Sequence, residues 1–442
     1  MISNRLATAL AARNVHYGWV VAGTTFLTML ATAGALGAPG VLLVPLQREF
    51  GWQNADISAA LAIRLVLFGC MGPFAAAFMN RFGLRSVVLT ALALVVGGIG
   101  GSLLMTELWQ LLLLWGIVVG IGTGLMALVL GATVATRWFA ARRGLVVGLL
   151  TASTATGQLV FLPLLAALTE HLGWRTALGL VIGALLLAMA LVLLLLRDRP
   201  SDLGLAPYGQ RELVPPPAQE HGLGALLLSP LLALRQGARS WTFWVLFATF
   251  FVCGLSTNGL IQTHWVTLCG DFGVAPVGAA GILAAVGVFD LIGTILSGWL
   301  SDRYDNRWLL FWYYGLRGLS LIYLPFTDFT FYGLSLFAVF YGLDWVATVP
   351  PTVRLTAERF GAERANLTFG WIFAAHQLGA ATAAFGAGAT RDALASYLPA
   401  LYVAGSFCLL AAGLVLTISR QEPEAPPAVA PSPKAGPATA AA

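Results

Sequence analysis

Long apolar runs alternate with short polar segments along most of the chain. Each run has about 20 residues or more, the length that an α-helix needs to cross the roughly 30 Å hydrocarbon core of a bilayer. The pattern therefore predicts an all-α integral membrane protein with twelve transmembrane helices. These lie at residues 17–43, 54–79, 84–105, 108–134, 144–168, 175–196, 241–268, 275–300, 307–326, 329–353, 365–389 and 396–418.

Composition agrees with the membrane interpretation. Hydrophobic residues make up 58% of the 442 residues and charged residues only 10%, and the mean hydropathy is +0.83. Water-soluble domains carry about 25% charged residues. The net charge of +5 therefore does not indicate a nucleic-acid partner, and we expect a lipid bilayer as the surroundings.

Basic residues mark one side of the predicted membrane. With the N-terminus in the cytoplasm, 19 of the 24 Lys and Arg residues fall in cytoplasmic segments. The outside loops hold only Arg48, Arg175 and Arg391, while Arg64 and Arg317 lie inside predicted spans. Because cytoplasmic loops carry the positive excess, both termini are predicted to be cytoplasmic.

Four segments are predicted from the distribution of apolar and polar residues. Residues 1–200 and 241–420 each hold six predicted spans and form the N-terminal and C-terminal six-helix bundles. Residues 201–240, which include three consecutive prolines at 215–217, are predicted to be a cytoplasmic linker. Residues 421–442 are rich in Pro and Ala without an apolar period, which predicts a disordered cytoplasmic tail.

The two halves repeat each other at one constant offset along the chain. The offset relates three short loops, pairing 50–51 with 272–273, 81 and 85 with 303 and 307, and 137 and 142 with 359 and 364. We call this spacing the repeat offset. Parallel repeats of six helices are typical of many secondary transporters, whose substrate sites lie near the midplane between the halves.

These features resemble the major facilitator superfamily. Residues 298–307 read G-W-L-S-D-R-Y-D-N-R and are similar to that superfamily's G-x-x-x-D-R-x-x-x-R loop. The loop after the second span is a degenerate copy in which Asn80 stands where an acid is usual. The resemblance covers nearly the whole chain and implies the major facilitator fold.

A narrower resemblance is to the monocarboxylate transporters and their oxalate/formate antiporter-like relatives. Residues 17–21 read Y-G-W-V-V and residues 138–145 read W-F-A-A-R-R-G-L, which are similar to that branch's motifs at the first and fifth spans. Phe289 and Asp290 are similar to its F-D-x-x-x-R element. This chain has Thr294 where the element has Arg, so the resemblance does not carry over an anion-binding Arg at that position.

Ionisable residues inside a membrane are costly, so they face a cavity or a partner. Asp290 is our candidate proton carrier, because a low dielectric favours the protonated carboxyl group and a nearby cation favours the charged one. The resemblance implies the same role. The alternative is a fixed polar pair that braces the C-terminal half.

Asp344 and Arg317 leave two interpretations open. Asp344 lies in the tenth predicted span, with Thr348 one helical turn away and prolines at 350 and 351 that should bend or end the helix. Asp344 either takes part in substrate or proton binding or pairs with Arg317. We favour pairing for Arg317.

Further polar residues are candidates for the substrate site. Arg64 offers a bidentate donor for a carboxylate, although it could instead snorkel or cap an outer gate. His376 and Gln377 either line the cavity or belong to the packed core. Asn258 and Gln262, one turn apart in the seventh span, either face the cavity or bond to a neighbouring helix.

A gate is predicted at the cytoplasmic surface. Charged residues in the two equivalent loops are expected to form ion pairs and helix-end contacts that hold the halves closed in the outward-open state. The alternative is that they only set topology. These residues are Arg81, Arg85, Asp302, Arg303 and Arg307.

The sequence favours a secondary active transporter for a small organic anion. We expect a monomer in the plasma (inner) membrane that is proton-coupled or exchanges substrates. No nucleotide-binding loop, nucleophile–base set or CxxC spacing occurs, so we expect no cofactor, metal or enzymatic activity. The alternatives are efflux of a larger amphipathic compound and a non-transporting receptor or scaffold.

Overall fold

The computed structural model describes residues 2–126, 128–210, 212, 223–360 and 362–419. The tail predicted at 421–442 lies outside the described residues, as do residues 211 and 213–222 of the predicted linker. Within the described residues the chain is helical, with one isolated bridge between Phe139 and Tyr208.

The described residues form nineteen α-helices, numbered here in chain order. Their bounds are α1 Ile2–Ala11, α2 Gly18–Gly37, α3 Pro39–Phe50, α4 Asn54–Phe82, α5 Leu84–Ser102, α6 Leu108–Leu111, α7 Gly120–Leu125, α8 Leu128–Trp138, α9 Arg143–Leu172, α10 Trp174–Leu195, α11 Leu223–Gly237, α12 Trp241–Gly254, α13 Thr263–Asp271, α14 Pro276–Ser301, α15 Asn306–Tyr323, α16 Phe331–Asp344, α17 Val349–Phe360, α18 Ala362–Leu394 and α19 Leu398–Val415.

Nine helical stretches within the described part of the chain are long and apolar enough to cross a membrane. They are Gly18–Phe50, Asn54–Ala75, Leu84–Ser102, Leu108–Trp138, Trp174–Leu195, Trp241–Asp271, Pro276–Ser301, Phe331–Phe360 and Leu398–Val415. Three other helices, α9, α15 and α18, lie where the remaining spans are predicted and have 30, 18 and 33 residues. The all-helical membrane architecture agrees with the sequence, and the count of twelve spans stays a prediction.

Several predicted spans are interrupted in the middle. The first breaks between α2 and α3 at Ala38, directly before Pro39. In the seventh, a π-helix at Leu255–Gln262 joins α12 to α13. Such π-helical segments occur frequently at functional sites. The fourth span contains a second π-helix, Leu112–Val119.

The tenth span breaks at the turn 345–348 between α16 and α17, earlier than the sequence indicates. The prolines at 350 and 351 lie in the first turn of α17, where a missing N–H costs little. The chain has already left the helix after Asp344. Thr348 therefore lies at the end of this turn rather than in one unbroken helix with Asp344.

The repeat offset recurs in the packing of the two halves. A Cβ atom built on Gly120 would lie 3.1 Å from Cα of Arg64 and 3.2 Å from Cβ of Leu67. A Cβ atom on Gly342, the equivalent of Gly120, would lie 3.2 Å from Cα of Val286 and 2.8 Å from Cβ of Phe289. Val286 and Phe289 are in turn the equivalents of Arg64 and Leu67. In each half the fourth span thus packs on the second through an equivalent glycine.

The first spans of the two halves meet at equivalent positions. A Cβ atom on Gly40 of α3 would lie 2.8 Å from the carbonyl oxygen of Gln262. Gly40 and Gln262 are themselves related by the repeat offset. Equivalent residues in contact are what an axis relating the two halves produces.

Helices α4 and α18 pack against each other in opposite directions across the two halves. Gly388 lies against Ser58, and a Cβ atom on Gly69 would lie 2.5 Å from Cβ of Gln377. Farther along, Phe74 and Trp371 make an edge-to-face contact with ring centroids 6.2 Å apart. This long contact places residues of α4 and α18 next to one another at the boundary between the halves.

Candidate functional site

Asp290 lies within α14 and is only 8% exposed. Its Oδ1 accepts a hydrogen bond from the hydroxyl of Thr294 at 3.0 Å and another from the backbone N–H of Val346 at 2.9 Å. Thr294 therefore supplies a neutral donor where the resemblance predicts an Arg. None of the ion pairs formed by the described residues includes Asp290, so its carboxyl group has donors but no counter-ion.

Arg317 of α15 is fully buried and binds the end of α16. Its Nε donates to Oδ2 of Asp344 at 2.9 Å, and its Nη2 donates to the backbone oxygens of Asp344 and of Trp345. Cations are stabilised by the carbonyl groups that end a helix. The contact favours the pairing interpretation of Arg317 and gives Asp344 a charge partner inside its own half.

The turn 345–348 is held by a different polar group at each of its four residues. Arg317 donates to the carbonyl of residue 345, and the N–H of residue 346 donates to Asp290. Ser297 donates to the carbonyl of residue 347 at 2.5 Å. Cys253 Sγ lies 3.4 Å from Oγ1 of Thr348. We call Asp290, Arg317, Asp344, Cys253 and Ser297 the turn cluster. It joins four different helices of the C-terminal half around one break.

The sequence does not identify Cys253 as a member of this cluster. Arg317 Nη1 donates to Cys253 Sγ at 2.9 Å, so the thiol belongs to the turn cluster. Tyr341 was also missed, and its hydroxyl donates to the carbonyl of Ser256 at 2.5 Å. No sequence pattern reveals these contacts, because each depends on how the seventh span packs against α15 and α16.

Arg64 lies in α4 of the N-terminal half and is 5% exposed. Its Nη1 donates to the carbonyl oxygens of Ala35 and Leu36 at 3.3 and 3.4 Å, near the break between α2 and α3. These distances are at the long end for hydrogen bonds, and the buried Nε has no partner among the described residues. No carboxylate of the described residues forms an ion pair with Arg64, so the guanidinium is a buried cation rather than a snorkelling one.

His376 and Gln377 lie on α18 and face different neighbours. The His376 ring stacks on Phe373, with centroids 5.7 Å apart, and also contacts Phe250. Gln377 packs on Gly69 of the other half, and its Oε1 is buried without a partner among the described residues. Its Nε2 lies 3.3 Å from Nδ1 of His376. Gln377 thus contributes an unused acceptor at the boundary of the two halves.

Asn258 and Gln262 belong to the π-helix Leu255–Gln262 and are both half-buried. The wider π-helical turn changes the side-chain spacing that an α-helix would give. The carbonyl of Asn258 accepts a hydrogen bond from Oγ1 of Thr263 at 2.7 Å. Gln262 lies at the contact with Gly40 of the other half.

The charged loop of the C-terminal half makes its contacts within that half. Asp302 pairs with Arg354 of α17. Arg303 lies over the Trp299 ring, with its guanidinium carbon 4.1 Å from the centroid. Arg307 pairs with the nearby Asp305 at 2.6 Å and donates to the carbonyl of residue 418 at 2.8 Å.

The loop of the N-terminal half uses different chemistry at the equivalent position. Oδ1 of Asn80 accepts a hydrogen bond from Nη2 of Arg137 of α8 at 2.6 Å. Arg85 donates from its backbone N–H to Asp198 at 2.7 Å and from its guanidinium to the carbonyl of residue 193. Arg81 lies over Phe82. As in the C-terminal half, the end of the second span is tied to the fourth span of the same half.

The candidate residues are only partly brought together. Asp290 and Asp344 meet at the turn cluster, and His376, which adjoins Gln377 on α18, bonds to Cys253 of that cluster. The hydrogen bonds of Arg64 run to α2, and none formed by the described residues joins Arg64 to Asp290 or to His376. Within the described part of the chain, no group of three or more His, Cys, Asp or Glu side chains is suited to hold a metal ion.

Comparison with known families identifies relatives over nearly the whole chain. The family model of the Major Facilitator Superfamily matches residues 24–384, with a second, overlapping match at 264–441. Monocarboxylate transporter 13 of Bos taurus is 29% identical over 410 residues, which cover 91% of this chain and 89% of the relative.

Two other relatives have similar coverage. An uncharacterized MFS-type transporter of Bacillus subtilis, YcxA, is 26% identical over 415 residues, covering 90% of this chain and 94% of the relative. Monocarboxylate transporter 12-B of Danio rerio is 24% identical over 419 residues, with 90% and 86% covered. These relatives confirm the resemblance to the monocarboxylate transporter branch. The chain belongs to the major facilitator superfamily and is a multi-pass integral membrane transporter, not an enzyme.

Proposed function

We propose that the protein is a secondary active transporter that moves a small, monocarboxylate-like organic anion by alternating access, coupled to protons or by exchange. The names of its relatives support this substrate class. The single observation that carries the proposal is the buried guanidinium of Arg64, which has no acidic partner among the described residues.

A buried charge without a partner is costly, by several kcal/mol even after relaxation. The long hydrogen bonds from Arg64 to the carbonyls of Ala35 and Leu36 compensate only part of that cost. A substrate carboxylate would supply the missing charge and accept two parallel N–H bonds, which suits the planar guanidinium. The arrangement therefore favours an anion over a neutral or cationic substrate.

Asp290 is the group that we propose to carry the proton. The other buried acid of this half, Asp344, is already paired with Arg317. Asp290 has only neutral donors, the Thr294 hydroxyl and the Val346 N–H. Protonation removes the cost of a buried negative charge. A hydrogen bond to a neutral carboxyl group is also weaker than one to a carboxylate, so protonation would loosen the hold of Asp290 on the turn 345–348.

We propose that twelve spans cross the plasma (inner) membrane and that both termini lie in the cytoplasm. Residues 1–200 and 241–420 rock against each other around a midplane site. The charged loops at Arg81, Arg85, Asp302, Arg303 and Arg307 then lie at the cytoplasmic gate. The break between α2 and α3, the π-helix and the turn 345–348 supply irregular backbone, which membrane proteins tolerate where it is buried in protein or lines a cavity.

Uptake into proteoliposomes tests the substrate class. Radiolabelled lactate and pyruvate are offered with and without an inward proton gradient, beside the uncharged amide of lactate and a cationic amine of similar size. We expect accumulation of a carboxylate that rises with the gradient. Transport of the amine or of a large amphipathic compound, with no accumulation of any carboxylate, would contradict the proposal.

Arg64→Gln tests the site itself. Losing a charged hydrogen-bonding partner costs about 1.5–3 kcal/mol, so we expect the apparent affinity for the carboxylate to fall by about tenfold or more. Arg48→Gln is the matched control, because Arg48 is exposed at the end of α3. Unchanged carboxylate affinity in Arg64→Gln would show that the anion binds elsewhere.

A further inference from the structure

At the end of the molecule where α4 begins, a tyrosine joins the two halves. Tyr397 is 1% exposed, and its hydroxyl accepts a hydrogen bond from Nδ2 of Asn54 at 2.9 Å. The same hydroxyl lies 3.2 Å from Nδ1 of His264. Asn54 belongs to the N-terminal half and the other two to the C-terminal half. We call Asn54, His264 and Tyr397 the Tyr397 latch.

The hydrogen bonds of the Tyr397 latch run in one direction. Nε2 of His264 lies 2.8 Å from the carbonyl oxygen of Ala384. A carbonyl only accepts, so Nε2 carries the proton and, in the neutral ring, Nδ1 accepts from the Tyr397 hydroxyl. The tyrosine oxygen is then left to accept from Asn54. Removing this one hydroxyl would leave polar atoms of both His264 and Asn54 buried and unpaired.

Asp392 makes a second connection at the same end. Its Oδ2 accepts a hydrogen bond from the backbone N–H of Ala55 at 2.7 Å, in the first turn of α4. A carboxylate is stabilised at a helix N-terminus by the orphan N–H groups and the helix dipole. Here the carboxylate comes from α18 of the opposite half, so we call this contact the Asp392 cap.

The backbones approach closely directly beneath these contacts. A Cβ atom on Gly388 of α18 would lie 2.6 Å from Oγ of Ser58 and 3.2 Å from the carbonyl oxygen of Asn54. Ser58 is fully buried. The two halves therefore have no room between them at this level.

We propose that the Tyr397 latch and the Asp392 cap hold this end of the transporter shut, and that both open when the substrate site faces this side of the membrane. The inference rests on the alternating access proposed above but on no particular substrate. Rocking the halves apart must break the bonds of Asn54 and Ala55 to the C-terminal half. Water can replace each lost partner once the end is open, so the net strength of each bond is modest and the closure is reversible.

Thiol labelling of Ser58→Cys reports whether this end is open. The substitution is made in a chain whose four native cysteines are replaced by serine, and a membrane-impermeant maleimide is applied to right-side-out and inside-out vesicles. We expect slow labelling, from the Tyr397 side only. Tyr397→Phe should raise that rate by about tenfold, since it removes two modest hydrogen bonds from the closed state alone.

Tyr402→Phe is the matched control, because Tyr402 lies on α19 and is 38% exposed. Asp392→Asn is the second variant, and it should also speed labelling, while Tyr402→Phe should not. Unchanged labelling in both Tyr397→Phe and Asp392→Asn, or an equal rise in the control, would overturn the proposal. Because no substrate is needed, failure to transport a carboxylate would defeat the proposed function and leave this result standing.

Discussion

At the scale of single residues, Asp290 offers the sharpest test of coupling. Its Oδ1 accepts both hydrogen bonds, from Thr294 and from Val346, so an Asn can keep them while losing the ability to take up a proton. Asp290→Asn should therefore abolish the acceleration of uptake by an inward proton gradient. Exchange of substrate at equal pH should persist. Uptake and exchange of the same labelled substrate in proteoliposomes measure the two effects.

Asp328→Asn controls for the loss of a carboxylate elsewhere. Asp328 is exposed and has a left-handed backbone with a φ of 50°, which Asn also adopts readily. If Asp290→Asn keeps full gradient-driven accumulation, Asp290 is a structural acceptor for the turn 345–348. The proton must then use another group, with Asp344 the next candidate.

The sequence identifies which residues are unusual but not what they touch. Arg64, Asp290, Arg317 and Asp344 stand out because charges are rare in apolar spans. The partners of Arg64 are backbone carbonyls near a helix break, which no side-chain pattern predicts. The roles of Cys253 and of the Val346 amide likewise arise from packing between helices that are distant in sequence.

At the scale of helices, the break between α16 and α17 depends on the ion pair of Arg317 and Asp344. Removing one partner of a buried pair leaves an uncompensated charge and costs about 3–5 kcal/mol. Arg317→Met should therefore lower the thermal unfolding temperature of the purified protein markedly. The double variant Arg317→Met, Asp344→Leu should recover most of that loss, because two apolar side chains can replace a buried pair at little cost.

Transport by the double variant separates the two interpretations of Asp344. Recovered stability together with gradient-driven uptake means that the pair only braces the turn 345–348. Recovered stability without uptake means that Asp344 also acts in transport. A single Arg317→Met variant as stable as the unaltered protein would contradict the buried pair itself.

Helix positions follow from the sequence more closely than helix continuity does. The apolar runs place the long helices because membrane thickness fixes their length. Within a run, interruption depends on local competition for backbone hydrogen bonds. The prolines at 350 and 351 suggested a break at their own position, whereas the helix stops after Asp344, where Arg317 binds the freed carbonyls. The helices α1 and α11 were not predicted, since neither lies in a long apolar run.

At the scale of the whole molecule, the repeat offset links sequence and packing. Gly120 and Gly342 contact equivalent atoms of their own halves, and Gly40 meets its own equivalent, Gln262. The loop motifs reveal the offset because their charged residues stand out in an apolar sequence. The orientation of one half against the other has no such signal. It depends on contacts such as Ser58 with Gly388, which involve small side chains common throughout the spans.

The last prediction concerns the two equivalent charged loops, because each ties the second span of its half to the fourth span. Asn80 does so by accepting a hydrogen bond from Arg137, and Asp302 does so by pairing with the exposed Arg354. If these ties keep each half rigid while it rocks, Asp302→Asn should slow turnover and leave substrate affinity nearly unchanged. Asp302→Ala should slow it further, because alanine offers no acceptor to Arg354, whereas asparagine can bond an arginine as Asn80 does. Initial rates of uptake and equilibrium binding of the same substrate measure both quantities, with Asp328→Asn again as the control. A loss of affinity at unchanged turnover would instead place Asp302 in the substrate site.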